Sequence, residues 1–355
     1  MVRDSKLSSA YSEYLNGRNE RWRRMPKGIA FKFDAVVAPI EPVCTRVITT
    51  KNGHVLNHSY PAVDQDQHCY QHPQEFLLSQ CEYKPSLSIR LEKSEVVTWS
   101  ETQDAQCSVM HHIHVKDNVE VTLVHHVDID SGLRVLNIHV GEGAKLKHLV
   151  MLKSCADSYA YMYDRVRVMG SGVYQQTHVA YIDGFLRRNI QTELVSEFAQ
   201  GVIHGCVHAV NQSHFNDHID IYHQDKNTKS CQKIQSFVDD QASYDLFSAV
   251  IMDNPAQGSS SYQRLDHVLL SEDANAFSKP ALEVSIDDVK CSHGATIGWL
   301  DEQQIMYMNA RGLSKEAAVK FYTEAKVRQS LGHLPIKYQD ELNQWLQNKV
   351  SEDVV

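Results

Sequence analysis

Apolar and polar positions along this chain change period twice. From about residue 31 to residue 298 they alternate two by two, in short runs rich in β-branched and aromatic side chains, which is the pattern of half-buried strands. Residues 1–30 are polar and helix-tolerant, with Tyr11, Tyr14, Leu15 and Trp22 as sparse apolar points. From 301 to 350 the spacing becomes helical. The pattern divides the chain into a short N-terminal helical segment (1–30), a β core (31–298) and a small C-terminal α-helical domain (299–355), mainly β overall.

The β core has an internal rhythm. Polar clusters precede alternating runs that open at Gly143, Gly172 and Gly201, each 29 residues after the last. Further runs open near Phe215, Ser230 and Ser243, 15 and 13 apart, as if each long period held two strands. Equal steps of this size suit a β-solenoid, whose coils bury their apolar faces only by stacking. Antiparallel hairpins in a sandwich are the alternative, with Asn52-Gly53 and Asp183-Gly184 as candidate two-residue turns. Periodicity alone leaves both open.

The C-terminal region predicts three helices. Asp301 with Gln304 makes a capping box, Ile305 and Met308 share a face, and Gly312 is a stop. Ser314 caps a second helix with Ala318, Phe321, Tyr322 and Ala325 at helical spacing; after Pro335, Tyr338, Leu342, Trp345 and Leu346 form a third stripe. Helices this short bury little among themselves, so they pack on the β core or present a face to a partner.

Charge and composition narrow the function. A formal charge of −9 argues against a nucleic-acid binder, and the basic cluster Arg18 to Arg24 reads as a solvated helix face. No stretch reaches the ~20 apolar residues of a membrane span, and residues 1–24 lack the apolar core of a signal peptide. A cytoplasmic protein is expected. Eight cysteines stand singly with no C-x-x-C pair, which disfavours disulfide staples and zinc knuckles. Phosphate-loop, dinucleotide-binding, nucleophile-elbow and H-E-x-x-H signatures are missing.

Twenty histidines invite metal hypotheses. His204, Cys206 and His208 alternate, so a strand projects them together, as zinc, iron or copper donors or as the wet outer face of a half-buried strand. His111, His112, His114, His125 and His126 include adjacent pairs that point apart and read as structural. Cys291 and His293 share a face with Asp287 and Val289 and precede Gly294. They offer two ligands, too few to close a tetrahedral site unless a second chain adds the rest. Asp217, Asp220, Asp239 and Asp240 keep open a stand-alone β-solenoid enzyme or carbohydrate binder.

The run Ser278-Lys-Pro-Ala-Leu-Glu-Val-Ser-Ile-Asp-Asp-Val-Lys-Cys-Ser-His-Gly-Ala-Thr-Ile-Gly298, continued by Asp301-Glu-Gln-Gln-Ile-Met-Tyr-Met-Asn-Ala-Arg-Gly312, resembles the signature of the SufB/SufD family of SUF iron–sulfur cluster assembly proteins. Cys-Ser-His-Gly is the D-like form; Leu186 to Leu194 resembles the family's Arg-x-Asn segment more weakly. The resemblance implies a right-handed parallel β-helix and a non-catalytic scaffold subunit. It implies a SufB-like partner, a SufC-like ATPase docked on the C-terminal helices, and a nascent iron–sulfur cluster at the SufB–SufD interface. It places His293 as the implicated interface residue and Cys291 as its neighbour. A reduced flavin is associated with the family, with no motif here to hold it. A homodimer acting without SufB is the alternative within the family. The chain departs from the family in its short N-terminal region and in Trp299, where a small or polar residue is usual.

Overall fold

The computed structural model describes residues 47–51, 54–57, 84–103 and 107–352; the N-terminal helical expectation for 1–30 lies outside them. The core is a parallel β-solenoid of about seven turns. Two ladders run through it. The first has β1 (Val47–Lys51) between β2 (His54–Asn57) at its end and β4 (Glu95–Gln103), and continues through β6 (Glu120–Ile129), β8 (Lys145–Val168), β9 (Val173–Leu194), β10 (Gln200–Ala209), β12 (Lys229–Val238), β14 (Ser260–Leu269) and β16 (Lys290–Trp299). The second joins β3 (Lys84–Leu91), β5 (Ser108–Val115), β7 (Ser131–Val140), the second halves of β8 and β9, β11 (His214–His223), β13 (Ser243–Met252) and β15 (Asn275–Val284).

Among the described strands every ladder is parallel except β1–β2, which removes the sandwich alternative. Asp183-Gly184 is not a hairpin turn but lies inside β9. A Cβ on Gly184 would come within 2.2 Å of the Cys155 carbonyl, so glycine lets the strand pass the irregular stretch between Ser154 and Ser158 of β8. Two strands per coil stand as the 13–15-residue spacing predicts. Coil length is not constant: Glu120 pairs with Lys145, 25 residues on, and Ser243 with Asn275, 32 on.

The glycine rhythm has a mixed origin. One residue per coil turns left-handed at the same corner: Asn118, Gly143, Ser171, Phe198, Asn227 and Gly258, with φ between 55° and 72°. The amide of each donates to the corner of the next coil, as from Asn118 to Glu142 O (2.8 Å) and Asn227 to Gln257 O (2.8 Å). Only Gly143 of the three equally spaced glycines occupies this corner. Gly172 follows it, and Gly201 lies within β10.

Inside, stacked coils bury Val97, Leu123, Leu152, Ala180, Val207 and Leu265 on one side and Leu136, Ile190, Ile219 and Leu246 on the other. The C-terminal helices are α1 (Glu302–Asn309), α2 (Lys315–Leu331) and α3 (Ile336–Glu352). Asp301 and Ser314 cap the first two as expected, accepting from Gln303 N (3.0 Å) and Ala317 N (3.1 Å). Val327, Leu331, Leu334, Leu342 and Leu346 seat this layer on the outer face of the first ladder, against Leu149, Met151, Tyr181, Cys206 and Phe237. The expected stripe on α2 is rotated. Ala318, Thr323, Val327 and Leu331 face inward, while Phe321 is 59% exposed. No helix among the described residues is long and apolar enough to cross a membrane.

Candidate functional site

The interior holds a buried ionic cluster that spacing did not foretell. Glu101 accepts from Arg134 Nε (2.9 Å) and contacts His111 Nε2 (2.9 Å) and His125 Nε2 (3.0 Å). His125 Nδ1 meets His148 Nε2 at 3.1 Å, and His148 Nδ1 meets the Tyr174 hydroxyl at 3.1 Å. Arg134 also donates to Asp164 (2.5 Å), and Trp99 stacks on His125 at 3.9 Å. Burial alone would raise the Glu101 carboxyl, but Arg134, His111 and His125 overcome it and hold the group well below the usual range. Asp164 is left raised by burial, although Arg134 and Arg188 both pull it down. Burial pushes His125 down to about 4 and His148 well below its ordinary value. These groups are sealed from solvent, so they bind the coils to one another rather than bind a ligand. His111 and His125 are structural, as their spacing suggested, but as part of an ionic cluster and not as simple core residues.

Further along the solenoid, Arg188 makes a two-pronged bond to Asp217 (3.0 and 2.7 Å), and the Tyr244 hydroxyl donates to the same carboxylate (3.1 Å). Asp217 is therefore an interior ion-pair partner. Asp220 lies on the opposite face of β11, and Asp239 and Asp240 follow β12 in a turn. The four aspartates do not converge, so the groove of a solenoid hydrolase is not formed by them.

His204, Cys206 and His208 do share a face of β10, but that face is not wet. The helical layer covers Cys206, and His208 lies edge-on between Tyr181 and Phe237; both are at most 5% exposed. His204 lies edge-on to His333 at 4.1 Å, and His333 contacts Thr177 at 2.9 Å. Burial drives His204 down to about 3 and His208 to about 4, and raises the Cys206 thiol to about 12. Neutral histidines and a protonated thiol suit a packed seam. Among the described residues no group of three or more His, Cys, Asp or Glu side chains stands in metal-binding geometry.

Cys291 and His293 lie at the other extreme, on the last strand. Their positions in β16 stand in register with Ser261 and Gln263 of β14, whose side chains are buried in the interior. They therefore continue the inward-facing column one coil further, to where the stack ends. No strand among the described residues pairs with the far edge of β15 or β16. His293 is exposed, as are Ile297 (46%) and Trp299 (57%) on the same face. Cys291 is half-buried, and burial raises its thiol. Alternate residues of a strand lie about 7 Å apart, so thiol and imidazole form an open two-donor edge. Asp287 lies before β16, in the bend that precedes it.

Comparison with known proteins bears on this geometry. The family model for the SufBD core domain of SUF-system FeS cluster assembly matches residues 98–326, more than half of the chain. The chain is 25% identical over 215 residues to the iron–sulfur cluster assembly protein SufD of Escherichia coli, covering 59% of this chain and 50% of that protein. It is 24% identical over 202 residues to a SufBD family protein of Synechocystis (57% and 45% covered). A chloroplastic protein of Arabidopsis thaliana is 29% identical over 185 residues (52% and 39% covered). The chain thus spans half or less of the length of these relatives. A parallel solenoid flanked by helices, ending in an exposed Cys-Ser-His-Gly strand, and a family match that reaches from β4 into α2, lead to one conclusion: this chain belongs to the SufBD core family of iron–sulfur cluster assembly proteins.

Proposed function

We propose that the chain is a non-catalytic scaffold subunit of a SufBCD-type complex, working in the cytoplasm, in which a nascent iron–sulfur cluster is assembled where this subunit meets a SufB-like partner. The observation that carries the reading is the open end of the solenoid. There Cys291 and His293 occupy a terminal strand whose outer edge pairs with no described strand, with an exposed Ile297 and Trp299 beside them. A sheet edge of this kind is a template for a further strand, and apolar side chains next to it favour a protein partner. In this reading His293 is a ligand to the cluster or its iron and Cys291 a second, sulfur ligand, with the remaining ligands on the partner. The cluster is cargo, built and passed on.

The helical layer supplies the second surface. Tyr307 and Phe321, 57% and 59% exposed, line a groove between α1 and α2 with Met308, Tyr322 and Lys326. Aromatic anchors in a groove are what a stable interface uses, and we assign this face to a SufC-like ATPase. The deciding experiment is co-purification with SufB-like and SufC-like subunits of the same organism, followed by anaerobic reconstitution with iron and sulfide. A three-component complex that gains cluster absorption, and a His293→Ala complex that assembles but gains none, is the expected result. Wild-type cluster yield with His293→Ala would sink the ligand assignment.

A further inference from the structure

Met252 closes β13 and is fully buried, yet its thioether Sδ lies 3.4 Å from the Cys291 Sγ of β16, so the contact crosses from one ladder to the other. Both sulfurs sit in a small apolar cluster at the end of the solenoid, with Val250, Ala256, Leu282 and Ile286. Packing does not require sulfur here, because leucine fills the volume of methionine in such a cluster. Against a thiol, the thioether differs from a methylene in being a soft donor. Thiolate and thioether together select soft ions of low coordination number, Cu(I) before all. The half-buried thiol gives an ion entry from the open end, the thioether waits behind it, and His293 stands two residues along on the solvent side.

We propose that Met252 and Cys291 form a two-sulfur site for a soft monovalent ion, Cu(I), with His293 as a borderline third donor. Binding replaces the thiol proton, which passes to solvent, and transfers no electrons. The site goes beyond the assembly role, since it needs no partner subunit, and it competes with that role for Cys291.

The test uses the full chain under anaerobic conditions, with Cu(I) titrated against a competing chelator. Wild type binds one ion more tightly than Cys291→Ser does. Met252→Leu removes a direct donor and weakens that ion by at least about tenfold, the low end of the loss caused by removing even an outer-shell partner of a metal ligand. Zn(II) binding is unchanged by Met252→Leu, because zinc takes thiolate, imidazole and carboxylate rather than thioether. X-ray absorption of wild type carrying one copper shows two sulfurs at the metal, a measurement that stands even if the leucine variant misfolds. Wild-type Cu(I) affinity in Met252→Leu, or a copper with a single sulfur neighbour, overturns the proposal. Neither result touches the assembly reading, which is decided by His293→Ala in the three-component complex.

Discussion

The first coils and the last coils of the same solenoid fill their interiors with opposite chemistry. Between β4 and β9 the interior carries Glu101, Arg134 and Asp164 with His111, His125 and His148, all buried and joined by hydrogen bonds. Between β12 and β16 it carries neutral groups. Ser230 bonds Ser261 (2.7 Å), Ser236 meets His267 (2.7 Å), and Gln263 donates to Gln232 (3.3 Å). Charge sits inside where coils seal it from both sides, since an ion out of water is tolerated only with full pairing. Toward the open end the interior becomes neutral and then exposed, ending at Cys291 and His293. Stability is concentrated in the sealed coils, while the proposed site lies in a last coil whose outer edge pairs with no described strand.

Breaking the sealed end gives the largest effect. Glu101→Ala leaves Arg134 without one of its two carboxylates in a buried site, a change that costs about 3–5 kcal/mol; chemical denaturation followed by circular dichroism measures it. Mild acid attacks the same chemistry from solution. His125, His208, His223 and His267 are each pushed down by burial to about 4, His267 against the opposing pull of Asp266. Each takes up a proton in the unfolded chain below about 6.5 but not in the folded one, so stability is complete above that pH and falls as the pH drops toward 4. The slope is about 1.4 kcal/mol per pH unit for each such histidine. Glu101, held low, adds to the loss at the acid end of the range. Thermal melts between pH 7.5 and 4.5 are expected to show a steep, monotonic fall. A flat profile would mean that the buried histidines are protonated in the fold.

A smaller effect separates the helical layer from the coils. Leu331→Ala removes a side chain that seats α2 on Cys206 and Phe237, at a cost of about 2–4 kcal/mol. Hydrogen exchange is expected to rise in α2 and α3 while the coils stay protected, because the solenoid ladders do not depend on that contact. The smallest change in stability belongs to the open end. His293→Ala alters an exposed side chain and is expected to change the unfolding free energy by no more than about 0.5 kcal/mol, while removing the cluster-forming capacity assigned to it. A large loss of stability from His293→Ala, or a small one from Glu101→Ala, would reverse the division between the two ends.

Much of this was legible in the residues. The helix caps Asp301 and Ser314, the two strands per coil and the pairing of Cys291 with His293 on one face all follow from local spacing. The family resemblance of 278–312 agreed with them. The rotation of α2 did not follow. Phe321 is more apolar than Thr323, yet Thr323 faces the solenoid and turns its hydroxyl back to Val319 O (3.0 Å), because the position of the helix on the coil decides which side is covered.

The sequence by itself determined the periods, and with them the strands, the helices and their caps, because these depend on neighbours a few residues away. Only the tertiary structure decided which alternating face was inside, where the helical layer lay, and which polar residues met. Glu101, Arg134 and Asp164 are 30 or more residues apart and come together because coils stack. His204, Cys206 and His208 share one strand face, and a helix from far along the chain turned that face into a dry seam. The same stacking leaves Cys291 and His293 at its end, on a strand whose outer edge pairs with no other described strand, and this placement is what the proposed site rests on.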